Sequence, residues 1–237
     1  MPLYDENMML DYCDAISEGI PFTHPRACHL LYHLVLTFTN PEVVEVSCGY
    51  GKATLYLAAA AKRQGGFVNC VDVAKPLWKG KSAMDLLRQA ELLDICRITF
   101  GRDARWYLLE LLRQRPDQWI DLAYIDATHT VEVDSFVALA VWTHMRPGGI
   151  LIFDDLDWIP AIHGPVDKEF SAPAVSHVQA IFNYISRLPD VAEKAEWGQE
   201  EVKWRWGFLH TQHITTTDSV PLRDLLRRLD NRFRHFR

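Results

Sequence analysis

The stretch that decides the fold is VVEVSCGYGKATLYLAAAAKRQGGFVNCVD, residues 43–72. Its first four residues, 43–46, are mostly β-branched and predict a strand, and a turn with two glycines follows. Residues 53–63 are rich in Ala and Leu and predict a helix, which a second pair of glycines ends. Residues 67–72 predict the next strand. A strand, a helix and a strand in this order indicate a parallel βαβ unit with a right-handed crossover.

The same alternation continues as far as Asp157. The further predicted strands are 95–100, 120–125 and 150–153, and the further predicted helices are 81–93, 104–113 and 131–144. Pro147-Gly148-Gly149 predicts a turn before the fifth strand. Five strands that alternate with helices are typical of an open, doubly wound α/β sheet.

The two ends of the chain are expected to add to this core. Residues 1–40 predict helices, and after a helix at 173–188 two strands near 191–197 and 202–213 predict an antiparallel hairpin. The Arg-rich stretch 222–237 predicts a basic helix, whose charged face is either solvated or a contact in a homodimer. The predicted fold is therefore a Rossmann-like, seven-stranded α/β sheet with helices on both faces and a late antiparallel hairpin. The predicted divisions are a helical substrate-lid region at 1–40, a core at 41–213 and the basic C-terminal helix at 214–237.

Composition excludes several classes of protein. The chain has 237 residues, of which 49% are apolar and 24% are charged, as in an ordinary soluble globular protein. With 25 basic and 31 acidic side chains the net charge is −6, which argues against a nucleic-acid partner. No apolar run reaches the roughly 20 residues that span a bilayer, and the acidic N-terminus does not resemble a signal peptide. Five cysteines without a CxxC pattern indicate reduced thiols in a cytoplasmic protein without a membrane partner.

Polar residues stand at the end of every predicted strand. In an open α/β sheet, ligands bind beyond the carboxyl ends of the strands. The first strand ends in the glycine turn, and acidic residues follow the other four. These residues are Asp72, Asp103, Asp126, Asp154 and Asp155. They are expected at the same edge of the sheet, where they can form one site.

The glycine turn and Asp72 together indicate a nucleotide-like ligand. Gly49 and Gly51 would let a ligand approach the backbone closely, and Asp72, which follows Gly51 by 21 residues, would bind the hydroxyl groups of a ribose. The spacing fits G-x-G-x-x-G only loosely, because Ser47 and Ala53 flank the two glycines. An ordinary turn between a strand and a helix is the competing interpretation.

Several of these segments resemble class I S-adenosylmethionine-dependent methyltransferases. Residues 44–51, VEVSCGYG, resemble motif I of that family, in which an acidic residue, here Glu45, precedes alternating glycines. Residues 101–104, GRDA, resemble the family's turn whose acid lies near the adenine amino group. Residues 124–129, YIDATH, and 146–155, RPGGILIFDD, resemble the fourth and fifth strand motifs of catechol-type, divalent-metal-dependent O-methyltransferases and their small-molecule relatives.

The resemblance implies a cofactor, a reaction and a set of binding residues. The cofactor is S-adenosylmethionine, and the reaction is methyl transfer to an oxygen of a small molecule, with aromatic acceptors as one option. The core at 41–213 would then be the cofactor-binding methyltransferase domain. The residues expected to bind the cofactor are Glu45, Ser47, Gly49, Gly51, Asp72, Asp103 and Asp126. Ser47 departs from the motif, because it stands where the family has its first glycine.

Asp126, Asp154 and Asp155 predict a metal site. Three carboxylates that converge on one point repel each other unless a cation compensates, and Mg²⁺ prefers such oxygen ligands. The metal would orient the acceptor and lower the pKa of its hydroxyl group. In the competing interpretation, one or two of these acids cap a helix or bind the methionyl amine of the cofactor.

His129 is the predicted catalytic base, acting beside Asp126. It stands three residues after Asp126, where the catechol-type enzymes have a lysine, and a histidine can take a proton near neutral pH. A supporting role, or a place at the start of the next helix, is the competing interpretation.

Three other functions stay open at this point. The same fold could methylate nitrogen or carbon without a metal, or it could be a scaffold that no longer catalyses, as Ser47 in motif I would suggest. A nicotinamide-dependent oxidoreductase is less well supported, because the chain has no Tyr-x-x-x-Lys pattern. That function would also leave Asp154 and Asp155 unexplained.

Overall fold

The computed structural model describes residues 6–114, 119–127, 129–159, 162, 175–198, 205–211, 224 and 226–227. These residues fall into two compact units, 6–104 and 105–227, which are described separately below. Within the described part of the chain, no helix is long and apolar enough to cross a membrane.

The first unit is built from parallel strands and the helices that follow them. Its helices are α1 (Glu6–Ile16), α2 (Pro25–Val35), α3 (Lys52–Gln64) and α4 (Ala83–Gln89), and its strands are β1 (Glu42–Val46), β2 (Phe67–Asp72) and β3 (Cys96–Phe100). β2 pairs in parallel with both β1 and β3. The predicted bounds agree within one or two residues except for α4, which is shorter than the predicted 81–93. It begins after Ser82, whose backbone N–H and hydroxyl both donate to Asp85, at 3.0 and 2.7 Å.

Small residues in α3 allow close packing in the first unit. The run of alanines from Ala58 to Ala61 is fully buried, and α3 contacts α2, α4 and β2. At the start of α3, a Cβ atom on Gly51 would lie 2.5 Å from the Cβ atom of Ala83, and the φ angle of Gly51 is +87°. Glycine is therefore required here, both for the backbone conformation and for the close approach of α3 and α4.

The second unit continues the alternation and adds the hairpin. Its helices are α5 (Ala104–Gln114), α6 (Val131–Trp142) and α7 (His177–Ile185), and its strands are β4 (Ile120–Ile125), β5 (Met145–Phe153), β6 (Val191–Trp197) and β7 (Trp206–Thr211). β4 and β5 are parallel, whereas β7 is antiparallel to both β5 and β6. The predicted late antiparallel hairpin is therefore confirmed.

The strand order confirms the predicted fold class. In the seven-stranded sheet it is β3-β2-β1-β4-β5-β7-β6, the order of a Rossmann-like α/β fold with an added hairpin. Parts of the predicted elements at 173–188 and 202–213, and nearly all of the predicted helix at 222–237, lie outside the described residues. The divisions at 1–40, 41–213 and 214–237 stay predictions.

The turn predicted at Pro147-Gly148-Gly149 is wrong, because these residues lie inside β5. The register with β4 jumps there, since Ile120 lies opposite Met145 but Leu122 lies opposite Ile150. Gly148 has a φ angle of +83°, which a bulge in a strand often requires. The segment therefore bends β5 without ending it.

Glu45 is a buried acid inside β1, whose other buried residues are valines. Glu45 is 0% exposed, like Val43 two residues earlier in the strand. Burial raises the pKa of the Glu45 carboxyl to about 7, the hydroxyl of Thr54 and the thiol of Cys70 oppose this shift, and the charge of Asp72 adds to it. The carboxyl group therefore takes up a proton on folding at mildly acidic pH.

We expect Glu45→Gln to reduce the pH dependence of stability. An acid whose pKa rises from 4.5 in the unfolded chain to about 7 in the folded protein stabilises the fold below the lower value, and this contribution is lost as the pH rises through the higher value. Glutamine cannot ionise. The loss in free energy of unfolding between about pH 5 and about pH 8, measured by urea denaturation, should therefore shrink by roughly 1–3 kcal/mol.

Glu18→Gln is the matched control, because Glu18 is exposed in the same unit. Its pH dependence should equal that of the wild type. If Glu45→Gln also kept the wild-type pH dependence, the Glu45 carboxyl would be ionised in the folded protein already at about pH 5, as it is in the unfolded chain.

Candidate active site

The turn after β1 carries the first group of predicted site residues. Ser47, Gly49 and Gly51 all have positive φ angles, of 70°, 50° and 87°. An L side chain is strained in this region of backbone conformation, yet Ser47 adopts it. Its backbone N–H donates to the carbonyl oxygen of Val71 at 2.8 Å, which ties the turn to β2. Ser47 therefore keeps a glycine-like conformation at the position where motif I has glycine.

Asp72 holds this turn in place. One carboxylate oxygen, Oδ2, accepts the backbone N–H of Gly49 at 2.9 Å, and the other, Oδ1, accepts that of Ala74 at 2.9 Å. The carbonyl oxygen of Asp72 accepts the N–H of Arg102 at 3.3 Å, so the turn after β3 is tied to the same point. Oδ2 also accepts a weak hydrogen bond from the Sγ atom of Cys48 at 3.7 Å, so three of the roughly four acceptor positions of the carboxylate are used.

The other two predicted cofactor residues of this unit, Asp103 and Glu45, differ in how far they are buried. Asp103 is half-buried and follows Gly101, which has a φ angle of +72°, directly before α5. Glu45 lies inside the unit instead of at its surface. A buried carboxyl group can support the turn through the strand that carries it, but it cannot contact a ligand directly while it is fully covered.

Aromatic residues beside the glycine turn were not predicted. Tyr50 stacks on Phe22, with ring centroids 5.6 Å apart and an angle of 7° between the planes, and it also contacts Trp78 at 5.7 Å. The Lys52 ammonium group donates to the carbonyl oxygen of Ile20 at 3.1 Å. The loop between α1 and α2 is thereby fixed against the turn. Phe22 is nevertheless 85% exposed and has a φ angle of +79°.

In the second unit, Asp126, His129 and Asp155 form a cluster. The Nε2 atom of His129 lies 3.2 Å from Oδ2 of Asp155 and 3.9 Å from Oδ1 of Asp126. One ligand atom from each of the three residues lies within 4.8 Å of the other two. His129 and Asp155 both have φ angles of 56°, and such strain is found mainly at functional sites.

Asp154 does not join this cluster. The hydroxyl group of Tyr124 donates to its carboxylate, and Oδ1 of Asp154 accepts the backbone N–H of Asp155 at 2.8 Å. Burial and the charge of Asp155 raise the pKa of Asp154 to about 7. Neighbouring residues at a strand end point in different directions, so only one of the two aspartates can face His129. The converging group is thus Asp126, His129 and Asp155, where the sequence predicted Asp126, Asp154 and Asp155.

The charges of the cluster compensate each other through His129. Burial lowers the pKa of His129, but the hydrogen bond and charge of Asp155 outweigh it, so the pKa of His129 is raised above its usual value. A protonated imidazole would neutralise part of the negative charge of Asp126 and Asp155. A divalent cation would do the same and would compete with that proton.

The cluster fits a divalent metal. Ligand atoms on a metal such as Mg²⁺ or Zn²⁺ lie about 2.0–2.2 Å from the ion, so two of them are separated by roughly 3–4.4 Å. The separations within Asp126, His129 and Asp155 are close to this range. Carboxylates suit hard cations, and an imidazole extends the choice to transition metals. Metal binding itself stays a prediction.

Trp158 contacts this cluster directly. Its ring stacks on His129, with centroids 4.8 Å apart and an angle of 21°. No pattern in the sequence indicates this contact. The contact between Tyr124 and Asp154 was not predicted from the sequence either. The two-residue alternation of β4 indicates only that Tyr124 and Asp126 share a face. No pattern in the sequence pointed to Phe22.

Comparison with known proteins identifies the central segment. Residues 44–156 match the model of a family described as a methyltransferase domain. No curated protein matches the sequence. The match favours a methyltransferase over a nicotinamide-dependent oxidoreductase.

Solved structures agree with this result in their fold. The O-methyltransferase TomG from Streptomyces achromogenes, involved in tomaymycin synthesis and solved in complex with S-adenosylmethionine, has 16% identity and a TM-score of 0.61, with 89% of this chain and 92% of that chain covered. The O-methyltransferase from Bacillus cereus in complex with S-adenosylhomocysteine has 20% identity and a TM-score of 0.61, with 88% and 92% covered. The cofactor-bound protein Rv0187 from MTB has 17% identity and a TM-score of 0.61, with 87% and 89% covered.

The matched segment contains both groups of site residues. It begins in β1 before the glycine turn, includes Asp72, and extends past the cluster that ends at Asp155. The resemblance that the motifs carry is thereby confirmed. Residues 44–156, just under half of the chain, match a methyltransferase domain, and the chain shares the fold of solved O-methyltransferases.

Proposed function

We propose that this methyltransferase acts on an oxygen atom of a small-molecule acceptor and uses a divalent metal. The observation that carries the proposal is the convergence of Asp126, His129 and Asp155. Two carboxylates and an imidazole can hold a metal and accept a proton, which are the two tasks needed to activate a hydroxyl group. Methylation of an amine would not require the metal.

The glycine turn and Asp72 would bind the cofactor. S-adenosylmethionine supplies a methyl group that is bound to a positively charged sulfur. A nucleophile attacks the methyl carbon in line, and the sulfur leaves as part of S-adenosylhomocysteine. The Asp72 carboxylate would bind the ribose hydroxyls, and Gly49 and Gly51 leave room for close approach to the backbone. Asp103 would face the adenine amino group. Glu45 would support the turn from inside the unit, and Asp126 stays a candidate for the methionyl amine.

Asp126 and Asp155 would hold the metal, and His129 would take the proton. The metal supplies positive charge that lowers the pKa of an acceptor hydroxyl group. Such a charge beside His129 would also lower the pKa of its ring, so that Nε2 is free to accept a proton at neutral pH. Asp154, held by Tyr124, fixes the backbone N–H of Asp155 and so orients that residue.

The N-terminal residues would shape the acceptor pocket. The loop between α1 and α2 is tied to the glycine turn by the bond from Lys52 to Ile20 and by the stacking of Phe22 on Tyr50. The Asp14 carboxylate, which accepts the hydroxyl of Tyr56 and lies 2.9 Å from Nε2 of His29, joins α1 to α2 and α3. This loop is held beside the glycine turn, so it is well placed to cover an acceptor next to the cofactor, as a substrate lid would.

We expect S-adenosylmethionine to bind, and Asp72→Asn to weaken its binding about tenfold or more. The substitution replaces a charged acceptor by a neutral one, both in the two backbone hydrogen bonds of Asp72 and in the hydrogen bonds expected to the ribose. Hydrogen bonds to a charged group are stronger than those to a neutral group, so binding should weaken. Isothermal titration calorimetry gives the dissociation constants. Asp94→Asn, in an exposed acid of the same unit, is the control and should bind as the wild type does. Equal affinity in Asp72→Asn would place the ribose elsewhere, and binding of NAD⁺ in place of S-adenosylmethionine would contradict the proposal as a whole.

Removal of metal should stop most of the methyl transfer. With EDTA, we expect the release of S-adenosylhomocysteine to fall about tenfold or more, and added Mg²⁺ should restore it. Asp155→Asn should weaken the binding of Mn²⁺, measured by calorimetry, more than Asp154→Asn does, because Asp154 faces Tyr124. Undiminished turnover in EDTA would favour a metal-independent N- or C-methyltransferase.

His129→Gln separates the role of a base from that of a ligand. If His129 takes the proton, the variant should still bind Mn²⁺ while kcat falls by roughly 10²–10⁴. If the variant no longer bound Mn²⁺, His129 would be a metal ligand and another group would have to accept the proton.

Phe22→Ala tests the lid. A screen of phenols, catechols, sugars and amines by mass spectrometry first selects an acceptor. The variant should then raise the KM for that acceptor severalfold and leave the affinity for S-adenosylmethionine unchanged, because an exposed aromatic ring contributes contact area to a bound acceptor. Met8→Ala, in an exposed apolar residue of α1, is the control. An unchanged KM in Phe22→Ala would remove this loop from the acceptor pocket.

A further inference from the structure

A buried histidine and aspartate in the second unit have no part in the proposed reaction. His177 is the first residue of α7, and Asp134 lies in the first turn of α6. The Nε2 atom of His177 lies 2.6 Å from Oδ2 of Asp134, and the residues are 6% and 4% exposed. The surrounding faces of the two helices are apolar, with Val137 and Val178 buried. Burying a polar pair is costly, so its place here calls for an explanation.

The pair is connected to the candidate active site through aromatic rings. The ring of His177 meets that of Trp158 edge to face, with centroids 5.6 Å apart and an angle of 84°. Trp158 in turn stacks on His129, whose Nε2 atom faces Asp155. A continuous row of contacts therefore runs from the interface of α6 and α7 to the atom that would take the proton.

His129 needs such support because of where it lies. It stands between the end of β4 and the start of α6, where its backbone has a positive φ angle. Neither a helix nor a strand fixes its ring. Stacking against an aromatic ring favours one ring orientation over others by a few-fold to about tenfold. Trp158 also lies outside regular structure, and its edge contact with His177 restrains it in the same way.

We propose that Asp134 and His177 are positioning residues, which hold Trp158 and through it keep the ring of His129 turned with Nε2 toward Asp155 and Asp126. Asp134 fixes the ring of His177 by the hydrogen bond. His177 presents its edge to Trp158, and Trp158 presents its face to His129. The value of this arrangement for catalysis rests on the proposed function, because it is there that Nε2 takes a proton beside a metal.

The alternative is that the pair only joins α6 to α7. Both roles predict that substitution lowers the melting temperature. The two roles differ in the orientation of the His129 ring after substitution. Nuclear magnetic resonance of the protein labelled with ¹³C- and ¹⁵N-histidine detects a change in that orientation. The ring signals of His129 are assigned by their loss in His129→Gln. The ring current of Trp158 displaces these His129 signals, and the size of the displacement is the difference between the wild type and Trp158→Leu.

We expect His177→Gln to move the His129 signals much of the way to their position in Trp158→Leu. Glutamine can still donate a hydrogen bond to Asp134, so the variant avoids an unpaired buried carboxylate. Asp134→Asn, which keeps the shape of the side chain, should move the same signals by a smaller amount, and it replaces His177→Gln if that variant does not fold. Because the charge of Asp134 also raises the pKa of His129, its signals are compared at a pH at which the His129 ring is protonated in both proteins. Trp158→Phe should keep part of the displacement. His210→Gln is the control, because His210 lies on β7 and bonds to the carbonyl oxygen of Gly148.

Two readouts separate this proposal from the proposed function. His129 signals that stay at their wild-type positions in folded His177→Gln and Asp134→Asn, while the melting temperature falls, would overturn the positioning role. If the signals move as expected but the wild type binds no Mn²⁺ and transfers no methyl group, the positioning stands and the proposed function fails. If both hold, kcat for methyl transfer should fall by roughly tenfold in His177→Gln, while the affinity for Mn²⁺ stays near that of the wild type.

Discussion

Strands that are buried on both faces can carry reactive polar groups only where they end. β1, β2 and β4 are almost wholly covered, as parallel strands are in α/β proteins. The polar groups of the site accordingly come at the last residue of a strand or just after it. Asp72 closes β2, Asp126 follows β4, and Asp155 lies two residues after β5. Glu45 breaks this rule inside β1, and its raised pKa is the physical consequence.

The same strand ends also hold the strained backbone. Ser47, His129 and Asp155 all have positive φ angles without being glycine. Such conformations persist only where surrounding bonds enforce them. Ser47 is enforced by its bond to Val71, and Asp155 by the bond of its N–H to Asp154. In each unit, strain and hydrogen bonding together aim the polar groups that the proposed reaction would use.

The order of strands and helices was predictable because each depends on a local pattern. Runs of β-branched residues, the alanines of α3 and the glycine pairs specify their elements without help from the rest of the chain. β5 shows where this stops. A Pro-Gly-Gly segment has the same signature in a turn and in a bulge, and the decision here comes from β4, whose register with β5 continues on both sides of the segment. Sequence periodicity carries no information about such a partner.

Sequence alone determined that acidic residues stand at the strand ends and that the motifs are those of a methyltransferase. Both facts follow from residue type and spacing along the chain. Only the tertiary structure decided that Asp155 turns to His129 while Asp154 turns to Tyr124, because adjacent residues point apart and their partners come from other strands and turns. It also decided that Asp134 and His177, 43 residues apart, meet behind Trp158. That contact depends on how α6 packs against α7, and packing between distant segments leaves no local signal.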